Sequence, residues 1–316
     1  MNRSGFTLIE LAVVLLILAI LTQLAVRELS QVRDGRLAVL ADKQLADLSA
    51  AVYDKRPGEE ATGFLADTGR LPRALPADPD DASSPLSLRE LWERPADLPA
   101  FDLRPATSTN LAAGGAASLA DPDVIVPCGW RGPYLKLALR HERLLDPWGN
   151  RMETPDDAGW GASGDSDARH FRLLDSATNG IVSSDAPIAF VRHFGADGRP
   201  DDKLGGDHRA KTEARDGNRP DGAPVPLAPD GGASAKLAVT VQWQSEAAAT
   251  SVEIRCFHAD GGLVRVLSKT GVPGTPILFE GVPPGNCFLR AYCAGAKGPV
   301  LRVEVPPRGR SVDLSL

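Results

Sequence analysis

Glu10 is the one charge in the 21-residue apolar stretch from Phe6 to Val26. A carboxylate inside a membrane helix costs about 2.5–3.5 kcal/mol on insertion scales and is functional by default. A second acidic group, Asp197, Asp201, Asp202 and Asp207, gathers in a loop where Gly195, Gly198, Gly205 and Gly206 permit sharp turns. The cysteines are four. Cys256, Cys287 and Cys293 fall on the apolar face of alternating segments. Cys287 and Cys293, six apart on one strand, would be about 20 Å from each other, too far to bond. A bridge from Cys256 to Cys287 or to Cys293 therefore stays open if this part is periplasmic, beside the reading of all three as small buried hydrophobes. Cys128 has no obvious partner. His141, His170, His193, His208 and His258 share no metal-ligand spacing. No C-x-x-C, G-x-S-x-G, H-E-x-x-H, Walker or G-x-G-x-x-G pattern occurs, so an enzyme is not expected.

The elements that must carry these residues follow from composition and period. The chain has 316 residues, a formal charge of −6 and 43% hydrophobic residues. That length suits two domains, and the acidic balance argues against a nucleic-acid partner. At 1.5 Å per residue, residues 6–26 span about 31 Å, enough to cross a bilayer. No A-x-A-like cleavage site follows, and the run is too long for a secretory signal peptide. Arg3 precedes it and Arg27, Arg33, Arg36 and Lys43 follow, so basic residues alone give a weak or inverted orientation. Leu37, Ala41, Leu45, Leu48 and Val52 then recur at helical spacing, and Pro57-Gly58 stops the helix near Arg56. Ser87 and Glu90 read as a capping box opening a short helix. Residues 106–120 read as a mobile low-complexity loop. Strands are expected at 170–174 and 188–194. Residues 217–235, rich in Pro and Gly, read as a linker. Beyond them the period changes to two, at 237–243, 252–256, 287–293, 301–305 and 312–316. Gly/Pro turns separate these segments, as in a small antiparallel sandwich.

Gly5-Phe6-Thr7-Leu8-Ile9-Glu10 resembles the class III signal of type IV prepilins and pseudopilins. The resemblance implies cleavage between Gly5 and Phe6 by a prepilin peptidase, and N-methylation of Phe6. Cleavage would expose an amine on Phe6 that Glu10 of a neighbouring subunit can pair with. Breaking such a buried pair is costly, so it can fix subunit register. Asp67-Thr68-Gly69-Arg70-Leu71-Pro72 is similar to the segment that follows the long helix in pseudopilins. Gly132-Pro133-Tyr134-Leu135 and Asp146-Pro147-Trp148-Gly149-Asn150 resemble the signature pair of the major pseudopilin of type II secretion. After Asn150 the chain departs from that family's aromatic strand. The Gly195-Ala196-Asp197-Gly198 loop is similar to that family's calcium loop. This implies calcium held by Asp197, Asp201, Asp202 and Asp207 with the Phe194 backbone carbonyl, although Arg199 and Lys203 depart from the pattern. Residues 279–291 resemble carboxypeptidase-regulatory-like, prealbumin-type Greek-key domains, with Cys287 where that family has Tyr. This implies a structural or ligand-presenting module.

The expected fold class is α+β: a long N-terminal transmembrane helix packed on a small antiparallel sheet (pilin fold), plus a C-terminal all-β Greek-key sandwich. The expected divisions are a leader at 1–5, a membrane-spanning part at 6–26, a periplasmic head at 27–216, a linker at 217–235 and the sandwich at 236–316. The expected function is a pseudopilin or minor-pilin subunit of a type II secretion or type IV pilus-like filament. Its partners would be other pilin or pseudopilin subunits, prepilin peptidase and an inner-membrane assembly platform. The sandwich would project from the filament or cap its tip. The alternative is a non-polymerising inner-membrane-anchored module that captures a protein or glycan.

Overall fold

The computed structural model describes residues 8–56, 58–82, 84–113, 115–137, 143–149, 171–174, 184–193, 225–227, 235–242, 251–293, 296–306 and 308–315. Helix α1 (Leu8–Val52) opens the chain. Its residues carry no Pro, and one Gly, Gly35, interrupts 45 residues of mostly good helix formers. The helix ends four residues before the expected Arg56. There Asp54 bridges to Thr62 instead, with N–H···O distances of 2.9 and 2.8 Å between their backbones.

The head follows. Helix α2 (Phe64–Thr68) ends at Gly69 in the left-handed conformation. β1 (Leu75–Pro76) pairs with β2 (Leu86–Ser87), and β3 (Asp102–Ala106) with β4 (Asp121–Cys128). β5 (Phe171–Leu174), β6 (Phe190–His193) and β7 (Val225–Pro226) form a third, antiparallel sheet. Ala41, Leu45, Leu48 and Val52 of α1 share one core with Phe64, Leu65, Leu86, Leu91, Val191 and Leu227. The apolar stripe is thus where helical period places it, with Ala38 buried and Leu37 only half-buried at its start.

Three expectations for the head are corrected. The capping box does not form: Arg89–Leu91 is a 3-10 turn without a side-chain cap, and the Glu90 carboxylate points into the head. Residues 106–120 do not behave as a free loop. The Asn110–Ala112 backbone bonds Val264 (2.8 and 2.9 Å), and Leu111 packs against the cluster that holds Phe257 and Val264. Within the expected linker, β7 pairs with β6 and Leu227 is buried in the head core. A two-residue edge strand tolerates Pro226, and one leucine is enough to anchor it.

The C-terminal part has two sheets. β8 (Ala235–Gln242) lies between β11 (Pro276–Val282) and β15 (Arg310–Ser315). β9 (Val252–Asp260) lies between β10 (Leu263–Gly271) and β12 (Gly285–Cys293), and β12 also pairs with β13 (Ala296–Lys297) and β14 (Leu301–Val305). Leu237, Val239, Ile254, Leu289, Phe279 and Val305 from both sheets fill one core. The sheets are antiparallel except that β15 runs parallel to β8. The Pro306–Gly309 turn carries the chain from one sheet to the other, and the last strand closes beside the first.

Candidate functional site

Helix α1 has two zones. From Leu11 to Leu29 its mean hydropathy is 2.1 and none of it is buried. From Ala38 onward one face is sealed by the head, while Val39 and Leu40 stay exposed on the other. Gln44 donates to the Leu145 carbonyl at 2.7 Å, tying the helix to the turn in which Gly149 N–H bonds the Asp146 carbonyl at 3.0 Å.

The sequence motifs behind the helix converge on two buried carboxylates. Glu90 is fully buried. Arg70 binds it with two bonds, at 2.7 and 2.8 Å. Arg73 adds its side chain (2.8 and 3.0 Å) and its own backbone N–H (2.8 Å). Trp130 Nε1 donates to the Glu90 carbonyl at 2.9 Å. Asp67 accepts from the Tyr134 hydroxyl at 3.0 Å and pairs with Arg131 at 3.1 Å. Burial raises the Asp67 carboxyl above its ordinary value, against the pull of Arg131 and Tyr134. Tyr134 also stacks edge-on against Phe64 and Trp130. Such groups fix the head's shape.

The head and the C-terminal sheets meet along a built interface. The β3–β4 hairpin lays Ala106, Val124, Val126 and Cys128 on Phe257, Ala259, Val264 and Val266. Strand β9 is therefore covered on both faces, and Cys256, Phe257, His258 and Ala259 are all buried in succession. The β9–β10 tip enters the head: Gly262 N–H bonds the Thr68 carbonyl at 3.3 Å, and a Cβ at Gly262 would come to 3.0 Å from Leu98 and Pro99. A Cβ at Gly69 would overlap the Ala259 carbonyl.

Asp121, fully buried, accepts from Arg290 (3.0 Å), Lys297 (3.1 Å) and the Tyr292 hydroxyl. Burial acts to raise its carboxyl, but the bonds from Tyr292, Lys297 and the Asp123 backbone, with the Arg290 charge, hold it below the ordinary range. At the other end Lys55 pairs with Glu304 at 2.5 Å and Glu60 with Arg302 at 2.7 Å. A polar groove of about 370 Å³ lies between these pairs.

Sequence reading missed this interface. Arg290 and Tyr292 alternate with buried Leu289 and Ala291, a pattern that reads as a solvated face. The one signal was Asp121-Pro122-Asp123 opening an apolar run. Of the expected site residues, Gly5, Phe6, Phe194, Asp197, Asp201, Asp202 and Asp207 lie outside the described residues, and Glu10 is placed only as a backbone position on α1. Cys256 and Cys287 come side by side in the core, each fully buried. Contact with the Cys287 thiol, then burial, raises the Cys256 thiol well above its ordinary value. Cys293 lies apart, its thiol 3.6 Å from the Ser251 carbonyl. All four cysteines are unbridged. In the register Cys256 faces Leu289, which makes Cys287 its diagonal neighbour across β9 and β12.

A family model described as Prokaryotic N-terminal methylation motif matches residues 1–22. No curated protein and no solved structure matches the chain. The motif, continuous with an uncovered apolar helix, supports a type IV pilin-like protein. It implies processing by prepilin peptidase and assembly with other pilin subunits.

Proposed function

We propose that the chain is a pseudopilin or minor-pilin subunit, of a type II secretion or type IV pilus-like filament, with a structural rather than catalytic role. Its C-terminal part faces the periplasm, and the subunit leaves the inner membrane through an assembly platform to join the filament. The carrying observation is the methylation motif running directly into a helix whose apolar part is bare and whose later turns are sealed by a head. Glu10 meets the Phe6 amine of a neighbour in this reading. The acidic loop holds calcium on donor chemistry alone, four carboxylates for an ion that takes six to eight oxygens.

Replacing Glu10 with Ala tests the reading: incorporation into co-expressed filaments is lost while processing at Gly5–Phe6 continues. Normal incorporation of the variant, or an intact pentapeptide at the start of native protein, overturns it. A non-polymerising binding module would show capture of its ligand unaffected by E10A. For calcium, a chelator lowers the melting temperature, and an unchanged melt with no bound metal removes the ion from the account.

A further inference from the structure

We propose that His258 is a pH-sensitive latch residue, loosening the docking of the C-terminal sheets on the head as the surroundings acidify. The inference concerns the interface within the chain and does not depend on filament assembly. His258 lies two residues before the β9–β10 tip that enters the head, with its side chain 2% exposed. Its Nδ1 is 2.9 Å from the Ala259 carbonyl, which can only accept, so Nδ1 carries the proton of the neutral ring. Nε2 is buried and finds no hydrogen-bond partner among the described residues. A proton arriving there creates a charged N–H with no acceptor, which is costly in a buried site. The Ala259 carbonyl that Nδ1 holds also packs against Gly69 of the head, so strain at the ring bears directly on the contact between tip and head.

The surrounding charges do not rescue the imidazolium. Arg265 stands directly opposite on β10 and repels it. Asp260 at the tip attracts it, but its carboxylate is engaged by Arg265 at 2.9 Å. On β12, Cys287 lies one step beyond the Phe257–Phe288 pair. The titratable residue of α2, Asp67, is held by Tyr134 and Arg131. Burial lowers the imidazole below its ordinary 6.5, and Arg265 adds to this, against the Ala259 carbonyl and Asp260. A folded value below the free one means that the docked form is fully stable above 6.5. It weakens as pH falls from 6.5 toward the lowered value.

Cys128 supplies the readout. It is fully buried on the head side of the shared interface, whereas Cys256 and Cys287 sit in the core of the C-terminal sheets. Full-length protein in detergent is pulsed with N-ethylmaleimide between pH 8 and 5.5, and labelling is read peptide by peptide. Wild type is compared with His258→Gln at each pH, so the thiol's own titration cancels. The wild-type to variant ratio at Cys128 is expected to rise severalfold below pH 6.5, limited to about tenfold per unit of depression, with Cys256 and Cys287 still protected. A flat ratio overturns the proposal, and so does labelling of Cys256 and Cys287 in step with Cys128. His258→Phe serves if the Gln variant exposes Cys256 at pH 8. If both variants do, hydrogen exchange at the wild-type tip amides decides, and no change after intrinsic correction between pH 7.5 and 5.5 overturns the latch.

Discussion

Asp121 carries much of what joins the two parts of the molecule, because three donors from β12 and β13 end on one buried carboxylate of β4. Replacing it with Asn keeps the shape and leaves Arg290 with the more exposed Asp123, at 3.1 Å, as its remaining counter-charge. Removing one member of a buried pair costs about 3–5 kcal/mol, here toward the lower figure because Lys297 is half in water. Thermal unfolding of Asp121→Asn in detergent should show the loss, and an unchanged midpoint would mean that the pair contributes nothing. The charge also sets an acid limit. Its folded value lies below the free 3.8, so the stability it contributes is complete above 3.8 and is lost as pH falls through the lower folded value. Wild type should lose more midpoint than Asp121→Asn between pH 5 and 3. Glu90 is the parallel case inside the head: Glu90→Ala strands Arg70, leaves Arg73 with the exposed Asp97 as its close partner, and is expected to cost about 3 kcal/mol. A capping role would cost only about 1 kcal/mol, so the size of the loss separates the two readings.

Among the elements, the β9–β10 hairpin is the one that the head grips. Gly69 is needed there twice, for its left-handed φ of 73° and for the closeness of the Ala259 carbonyl. Gly69→Ala should therefore lower stability by more than the roughly 1 kcal/mol of a left-handed penalty alone. It should also raise Cys128 labelling at pH 8; a loss of 1 kcal/mol or less without labelling would place the strain in α2 only. The same hairpin shows what sequence could tell. Long regular periods were legible: the bare helix, its buried stripe, β8, β9, β12 and the Gly/Pro turns between strands. β10 was not, because after Val264 and Val266 its apolar alternation gives way to the exposed, polar Ser268, Lys269 and Thr270. β3 and β4 were hidden by Pro105, Pro122 and Pro127, residues that argue against a strand unless it is a narrow ribbon. Which strand faces what lay beyond period altogether. The second buried face of β9 exists because a distant hairpin covers it, and no local pattern records that contact.

At the scale of the whole chain, the C-terminal part is a docked half of the head rather than a tethered passenger. A chain stopped after Leu227 would bare Val124, Val126, Cys128 and Ala106, an apolar surface without cover. Light scattering of that truncation in detergent should report association. A monodisperse product would show that the head closes over the gap by itself. One dimension of α1 has a consequence for how this body meets its surroundings. The membrane-length segment ends at Leu29 and the first sealed residue is Ala38. The eight residues between them add about 12 Å of helix, roughly two turns of rod, on which Val32, Arg33, Gly35 and Arg36 are exposed. Any gripping device working at the bilayer surface has this collar to hold without touching the body above. Excising seven residues there would keep the facing of the body but seat it among the lipid phosphates, closing the collar.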